Sequence, residues 1–466
     1  MAAEAAAEAQ AAATRIVETL RRSGHQAYFA GGCVRDLLLG REPSDYDVAT
    51  NATPDVVLDM FPRTFAVGAH FGVVLVAPEV EDAGFVTEVA TFRSDLAYSD
   101  GRHPDAVRYT KSAEEDVQRR DFTINGLLLD PLRLLRGDSP LDECLRDPKL
   151  LRASVLDFAG GLADLDARLI RAIGSPELRF EEDHLRMLRA VRFAARFGFE
   201  IAPETHRAIR GLAHRIHAVS RERVRDELTR MLTEGHARRA FELLDATGLL
   251  DGVLPEIARM KGVEQPPLYH PEGDVWTHTL MLLEQLPPGC SMTLAWGALL
   301  HDVGKPATFR RASDRIRFDG HVEVGVAIGE EFCRRFRFSN EETRQVLALI
   351  ENHMRFMDAR RMRVSTLKRF FRLERFEEHL ALHRMDCLAA SGNLDHWEYV
   401  RERFASMTAE TVRPEPLLTG RELIAAGYAP GAQFRAMLRA VEDAQLEGAI
   451  ATAEEALQLV RERFPL

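Results

Sequence analysis

Two carboxylates in alternate positions, Asp45 and Asp47, follow closely on a glycine pair, Gly31 and Gly32, and an arginine, Arg35, in GGCVRDLLLGREPSDYDVAT (residues 31–50). On a strand, residues i and i+2 face the same side, so the two acids would stand together with Tyr46 facing away. Like charges that close repel, and a divalent cation such as Mg²⁺ removes the conflict because hard oxygen ligands suit it. Glycines let backbone N–H groups approach a phosphate, and the short helix expected over VRDLLLG offers an anion its N-terminus. Arg35 adds a positive charge in that first turn. The joint ligand expected here is a triphosphate with its metal. The blander alternative is an acidic turn after a Gly-rich loop.

A second set lies in RFEEDHLRMLRAVRFAARFGF, from Arg179. On a helical wheel Asp183 lies close to Arg186, and Arg186, Arg189, Arg192 and Arg196 share one face. Leu185, Leu188 and Phe199 supply apolar contacts elsewhere. A solvated charged face is one reading, and a phosphate- or base-binding face is the other. An Asp only accepts hydrogen bonds when ionised and an Arg only donates them. Together they match an exocyclic amine beside an unprotonated ring nitrogen, as in cytosine and adenine, and mismatch guanine and uracil. EEDVQRRDFTINGLLLD adds Arg119, Arg120, Asp121 and Asn125 against an apolar run, either as an active-site wall or as a helix-capping cluster.

A third set is in the C-terminal half: His278 in GDVWTHTLMLLEQL, His301 and Asp302 in GALLHDVGKP, and Asp386 in ALHRMDCLAASG. Imidazole and carboxylate together suit a divalent metal without selecting which one. The order His, His-Asp, Asp resembles the HD phosphohydrolase family over about residues 270–390. In that resemblance His321 and His353 take the place of further ligands or phosphate-binding residues, and Lys305 could neutralise a substrate phosphate. A cyclic 2′,3′-phosphate at a damaged RNA end would be a fitting substrate, and a degenerate pocket serving as an RNA-binding scaffold is the alternative.

These residues need elements to hold them. HQAYFAGG reads as a strand entering the glycine turn, and FGVVLVAP and GFVTEVATF as β-branched strands. Residues 93–110 read as a long polar loop, and 131–154 as an inserted or linking segment without a clean period. From about residue 161 the pattern is helical to the end, with loops near 264–273, 304–320 and 411–421. The expected layout is a small α/β head and a long helical body. The chain has 466 residues, 46% hydrophobic and 29% charged, enough for two to four domains. No apolar run is long enough to span a bilayer. The Ala-rich start carries acids, lacks the form of a signal peptide, and reads as an amphipathic helix ending near Gly24. Five scattered cysteines without a CxxC pair point to free thiols in a reducing cytoplasm. The net charge of −11 argues against a wholly basic nucleic-acid binder, yet residues 186–227 hold ten arginines against five acids.

Five motifs in order (GGCVRDLLLGREPSDYDVAT, ATFRSDLAYSDGRHPD, RRDFTIN, EEDHLRMLRAVRFAARFGF and SRERVRDEL) resemble the class II tRNA nucleotidyltransferase and bacterial poly(A) polymerase family, over about residues 26–230. The resemblance implies an α+β fold: a polymerase-beta-like head with a mixed sheet, then a long all-helical neck and body, an HD-type helical domain and a helical tail. The implied boundaries are 1–25 for the N-terminal helix, 26–155 for the head, 156–265 for neck and body, 266–395 for the HD domain and 396–466 for the tail. Asp45 and Asp47 would bind catalytic Mg²⁺, with Glu88 a further acid of the site. Gly31, Gly32 and Arg35 would meet the triphosphate, and Arg120, Asp121 and Asn125 the ribose and phosphates. Asp183 and Arg186 would pair with the base, Glu182 would orient them, and Arg189 and Arg192 would help hold the nucleotide. The implied reaction is attack of a tRNA 3′-hydroxyl on the α-phosphate of CTP or ATP. A-only addition or poly(A) tailing has the same chemistry. An HD phosphohydrolase with a non-catalytic, RNA-binding head is the rival from another class.

Overall fold

The computed structural model describes residues 2–66, 72–78, 86–96, 106–134, 141–267 and 270–465. The chain divides into two compact units. One comprises Met1–Met231 with Arg239–Leu254, the other Leu232–Arg238 with Pro255–Leu466.

The first unit is built on a seven-stranded mixed sheet. Its strands are β1 (Ala27–Ala30), β2 (Asp47–Thr50), β3 (Thr64–Phe65), β4 (Val73–Val76), β5 (Thr87–Thr91), β8 (Leu128–Leu129) and β9 (Val155–Leu156), in the order β3-β4-β5-β2-β1-β8-β9. Every residue of β1 is buried, as a central strand covered on both faces requires. The amphipathic helix Ala2–Arg22 buries Ala13, Val17 and Leu20. It is tied to the head by Arg21, which donates to Asp130 at 2.6 Å and lies over the Tyr28 ring. Register explains the proximity of glycines and acids. β1 runs antiparallel to β2 with Ala30 opposite Asp47, so Gly31 emerges beside the first residue of β2. Gly31 has φ +72°, a conformation that L side chains rarely adopt. β2 and β5 run parallel with Val48 opposite Val89, which makes Glu88 the neighbour of Asp47.

Three expectations need correction here. Only Asp47 belongs to a strand; Asp45 is exposed in the turn before it. Tyr46 does face away, edge-on to Phe29 at 5.3 Å. Residues 93–110 are not one loop. β6 (Arg93–Leu96) and β7 (Ala106–Tyr109) pair antiparallel, while 97–105, which include all of SDGRHPD, lie outside the described residues. The strands RSDL and AVRY are four residues each and do not alternate polar with apolar, so they carry no strand period to set them apart from a loop. The segment 131–154 holds helices Leu141–Leu145 and Pro148–Ala153, the second capped by the Asp147 carboxylate, with residues 135–140 outside the described set.

Beyond the sheet the unit is helical, including Pro176–Glu182, Leu185–Phe197 and Pro203–Leu212. Asp183 falls between the first two in an extended conformation, φ −149° and ψ 104°. The helical-wheel placement of Asp183 beside Arg186 is therefore replaced by a helix break.

In the second unit, helices Val275–Glu284, Met292–Leu300, His321–Arg335, Asn340–Asn352 and Phe376–Ala389 surround a core in which Trp296 meets Phe332, Phe336 and Phe338. A short hairpin, Arg310–Arg311 with Ile316–Arg317, lies within the segment read as a loop. Gly304 of HDVGK allows two backbones to touch, since a Cβ there would stand 2.0 Å from the His321 carbonyl oxygen. The tail has its own core of Leu418, Leu423, Tyr428, Met437, Val441 and Val460. No helix among the described residues is long and apolar enough to cross a membrane.

Candidate functional sites

At the mouth of the sheet, Asp45, Asp47 and Glu88 form an acidic group. Burial raises the Asp47 carboxyl from the ordinary 3.8 to about 7, with the Asp45 and Glu88 charges adding to it and Arg120 opposing it. Carboxylates in conflict are the donor set a hard divalent cation relieves, so Mg²⁺ fits these residues. Arg120 donates to Asp116 at 3.0 Å, and its guanidinium would be 3.4 Å from a Cβ placed on Gly31. It is thus the arginine that lies beside both the glycine turn and Asp47.

Arg35 lies beside the glycine turn, its guanidinium 3.7 Å from a Cβ placed on Gly32. It is 4% exposed, donates to Asp36 at 2.8 Å and to the Asn125 side-chain oxygen at 2.6 Å, and lies over the Phe193 and Phe197 rings. Burial lowers its pKa against the pull of Asp36. Its donors tie the short helix after the glycine turn to Asn125. Asn125 passes the chain on to Asp121 at 3.0 Å, and Asp121 accepts from Arg189 at 2.9 Å. Burial opposes ionisation of Asp121, but Arg189 outweighs it and holds the carboxyl at about 2. Arg192, 3% exposed, donates to Glu227 at 2.6 Å. Both arginines pair with acids, Arg192 buried and Arg189 partly exposed.

Asp183 and Arg186 end this network. Arg186 donates to Glu182 at 2.7 Å and to the backbone oxygens of Arg179 and Arg119, both at 3.2 Å. Glu182 also meets Arg179 at 2.6 Å, so its carboxylate bridges Arg179 and Arg186. Asp183 accepts from Arg223 on both oxygens, at 3.2 and 2.7 Å.

The second unit brings His278, His301, Asp302, His321, His353 and Asp386 together. His278 Nε2 is 3.0 Å from Asp386, and His301 Nε2 is 3.1 Å from Asp302 Oδ2. His321 Nε2 and His353 Nε2 lie 3.9 and 3.8 Å from Asp302 Oδ1. Asp302 thus turns one oxygen to each of two donor groups: His278, His301 and Asp386 on one side, His321 and His353 on the other. Each imidazole is anchored through Nδ1. His301 meets the Ala298 carbonyl, His321 that of Phe318, His353 that of Ile350, and His278 the Glu272 carboxylate. Anchoring through Nδ1 turns each Nε2 into the site, where those of His278 and His301 face the Asp386 and Asp302 carboxylates. That arrangement fits divalent metal. Burial opposes charge on His278, but the Asp386 and Glu272 carboxylates raise its imidazole to about 9. Burial lowers His353 to about 4, against Asp302. Lys305 is buried, 2.7 Å from both Asp302 and Gln265, so it neutralises a carboxylate of the site itself. A cavity of about 500 Å³ adjoins, lined in part by Asp302, His321, His353, Asp386, Phe318 and Met357.

Three residues escaped the sequence reading. Arg223 and Glu227 lie in SRERVRDEL, where only pairing across the fold separates them from other surface charges. Glu272 precedes the helix cap Asp274 and carries no motif of its own.

The pieces correspond to known families along the chain. Residues 27–171 match the poly A polymerase head domain, 198–261 the probable RNA and SrmB-binding site of polymerase A, and 273–391 the HD domain. Fold and site together define a chain with a nucleotidyltransferase-type head, helical RNA-binding segments and an HD domain. The CCA-adding enzyme of Lactobacillus gasseri is 35% identical over 310 residues, 64% of this chain and 71% of that relative. That of Geobacillus thermodenitrificans is 41% identical over 234 residues, 50% of this chain and 52% of its own length. The chain therefore spans about half the length of that relative in sequence. The crystal structure of the Bacillus stearothermophilus CCA-adding enzyme in complex with CTP superposes with TM-score 0.70 at 27% identity, covering 96% of both chains. The chain belongs to the CCA-adding enzyme family.

Proposed function

We propose that the protein adds C and A from CTP and ATP to the 3′ end of tRNA in the cytoplasm, without a nucleic-acid template. The observation that carries this reading is the continuity of one polar network. It runs from the Asp45, Asp47 and Glu88 carboxylates past Arg120, Asp121 and Arg189 to the region of Asp183 and Arg186. A triphosphate at one end and a base at the other are the two halves of a nucleotide. The likeness to a CCA-adding enzyme bound to CTP supports it. Asp45 and Asp47 would hold Mg²⁺, which when bound supplies charge neutralisation at the reacting phosphate. Arg120 would bind the phosphates, Asp183 would accept from the base amine, and Arg186, set by Glu182, would donate to the ring nitrogen. Arg35 and Asn125 support these groups from below.

Primer extension tests the reading. tRNAs lacking CCA, ending in CC, or complete, and a generic RNA, are offered single NTPs and CTP with ATP. Growth to CCA with GTP and UTP refused supports it. A single A added only to the CC end indicates an A-adding enzyme, and long A runs on generic RNA a poly(A) polymerase. Asp45→Ala should abolish incorporation and spare any phosphatase activity; surviving incorporation would reverse the site assignment.

The converging imidazoles carry a second activity, phosphoester hydrolysis at the HD site, with a cyclic 2′,3′-phosphate RNA end as the substrate to try first. His278, His301, Asp302 and Asp386 would hold a divalent metal, joined by His321 and His353. Such a metal supplies Lewis-acid activation of water. Release of phosphate from that substrate, lost in Asp386→Asn, is the expected result.

A further inference from the structure

Asp183 is held by a residue from a helix 40 positions further along the chain. Arg223 meets its carboxylate as a fork: one nitrogen donates to Oδ1 at 3.2 Å, the other to Oδ2 at 2.7 Å. The backbone N–H of Leu185 also donates to Oδ1, at 3.1 Å. A carboxylate has about four acceptor sites. Three are filled, and the one left open is on Oδ2. The pair is neither sealed nor loose, since the side chains of Arg223 and Asp183 are 24% and 16% exposed. A bidentate guanidinium fixes both the rotation of the carboxylate and its character as an acceptor on both oxygens. At this helix break the direction of the Asp183 side chain is set jointly by the Leu185 N–H on one oxygen and the Arg223 fork on both.

We propose that Arg223 is a specificity-determining residue for the choice of base, acting through Asp183. It leaves that carboxylate one acceptor position of fixed direction. An exocyclic amine, as on cytosine and adenine, fills that position. The carbonyl of uracil or guanine meets it oxygen to oxygen. Without Arg223 the carboxylate keeps only the Leu185 N–H on Oδ1 and can turn, so no acceptor position has a fixed direction and the carbonyl is no longer refused. This inference rests on the nucleotide-adding reading above.

The test is single-turnover incorporation of each of the four NTPs, with Mg²⁺, onto tRNA lacking CCA and onto tRNA ending in CC. Wild type, Arg223→Gln and Arg223→Lys are compared. If wild type adds no nucleotide, or all four equally, the proposed function fails first. Given a selective wild type, Arg223→Gln should raise the UTP-to-CTP and GTP-to-ATP incorporation ratios at least about tenfold, as expected for loss of one oriented charge-assisted hydrogen bond. Arg223→Lys, which keeps the charge but not the fork, should lie between. A uniform fall for all four nucleotides with unchanged ratios would make Arg223 a structural staple and overturn the proposal. Should Arg223→Gln not fold, Arg223→Lys decides: ratios equal to wild type overturn the proposal, and raised ratios sustain it.

Discussion

Replacing Asp47 by Asn should make the metal-free head more stable while removing its activity. Asp47 is partly buried, and its carboxyl is raised from 3.8 to about 7 by burial and by the Asp45 and Glu88 charges. A carboxyl with a raised folded pKa costs stability when ionised. The cost is full above about pH 7, and it fades as pH falls from 7 toward 4, where folded and unfolded chains both hold the proton. About three pKa units correspond to about 4 kcal/mol at full burial, and partial exposure reduces this to about 2 kcal/mol. Asn removes that cost. All three tryptophans, Trp276, Trp296 and Trp397, lie in the second unit, so their fluorescence does not report on the head. Hydrogen exchange at the buried β2 amides of Val48 and Ala49 does. In EDTA at pH 8, Asp47→Asn should slow their exchange about thirtyfold relative to wild type, the gain should shrink toward pH 5, and added Mg²⁺ should protect wild type alone. Equal exchange at pH 8, or a gain indifferent to pH, would refute the assignment of Asp47 as a strained metal ligand.

Arg35→Ala should destabilise the head by about 3 kcal/mol, because it takes the buried donor from the Asp36 carboxylate and from the Asn125 side-chain oxygen. The readout is faster exchange throughout β1; a raised KM for CTP with β1 exchange unchanged would place Arg35 on the phosphates instead. At the HD site, metal uptake should release about one proton, because the Asp386 and Glu272 carboxylates hold His278 at about 9 against the cost of its burial. Below that pH the apparent metal affinity should rise with pH, and calorimetry in buffers of differing ionisation enthalpy counts the proton. Glu272→Ala should weaken metal binding about 10- to 100-fold without touching a ligand, with Glu272→Gln between, both read by equilibrium dialysis.

What could be read from sequence was what is local. The glycine turn, the short helix after it and the two acids are contiguous, and their chemistry follows from residue type. The HD histidines announced themselves because His301 and Asp302 are adjacent in an apolar setting. What escaped depends on pairing across the chain. Arg35 was legible as a charge beside the glycine turn, but its packing against Asn125, Phe193 and Phe197 is brought to it only by the fold. The break at Asp183 has no proline or glycine to mark it, so a continuous wheel was the natural reading. Glu88 comes beside Asp47 through the parallel register of β2 and β5, a pairing between distant segments that neither strand's own sequence states.

The anchoring of the four imidazoles bears on how this protein can change over generations. Three are fixed by carbonyls three residues upstream, which no substitution removes. His278 alone depends on a side chain, Glu272. A lineage can therefore silence the HD centre with one change at a position that carries no motif, leaving every ligand in place. An intact His, His-Asp, Asp signature in a descendant would then overstate what its pocket still does.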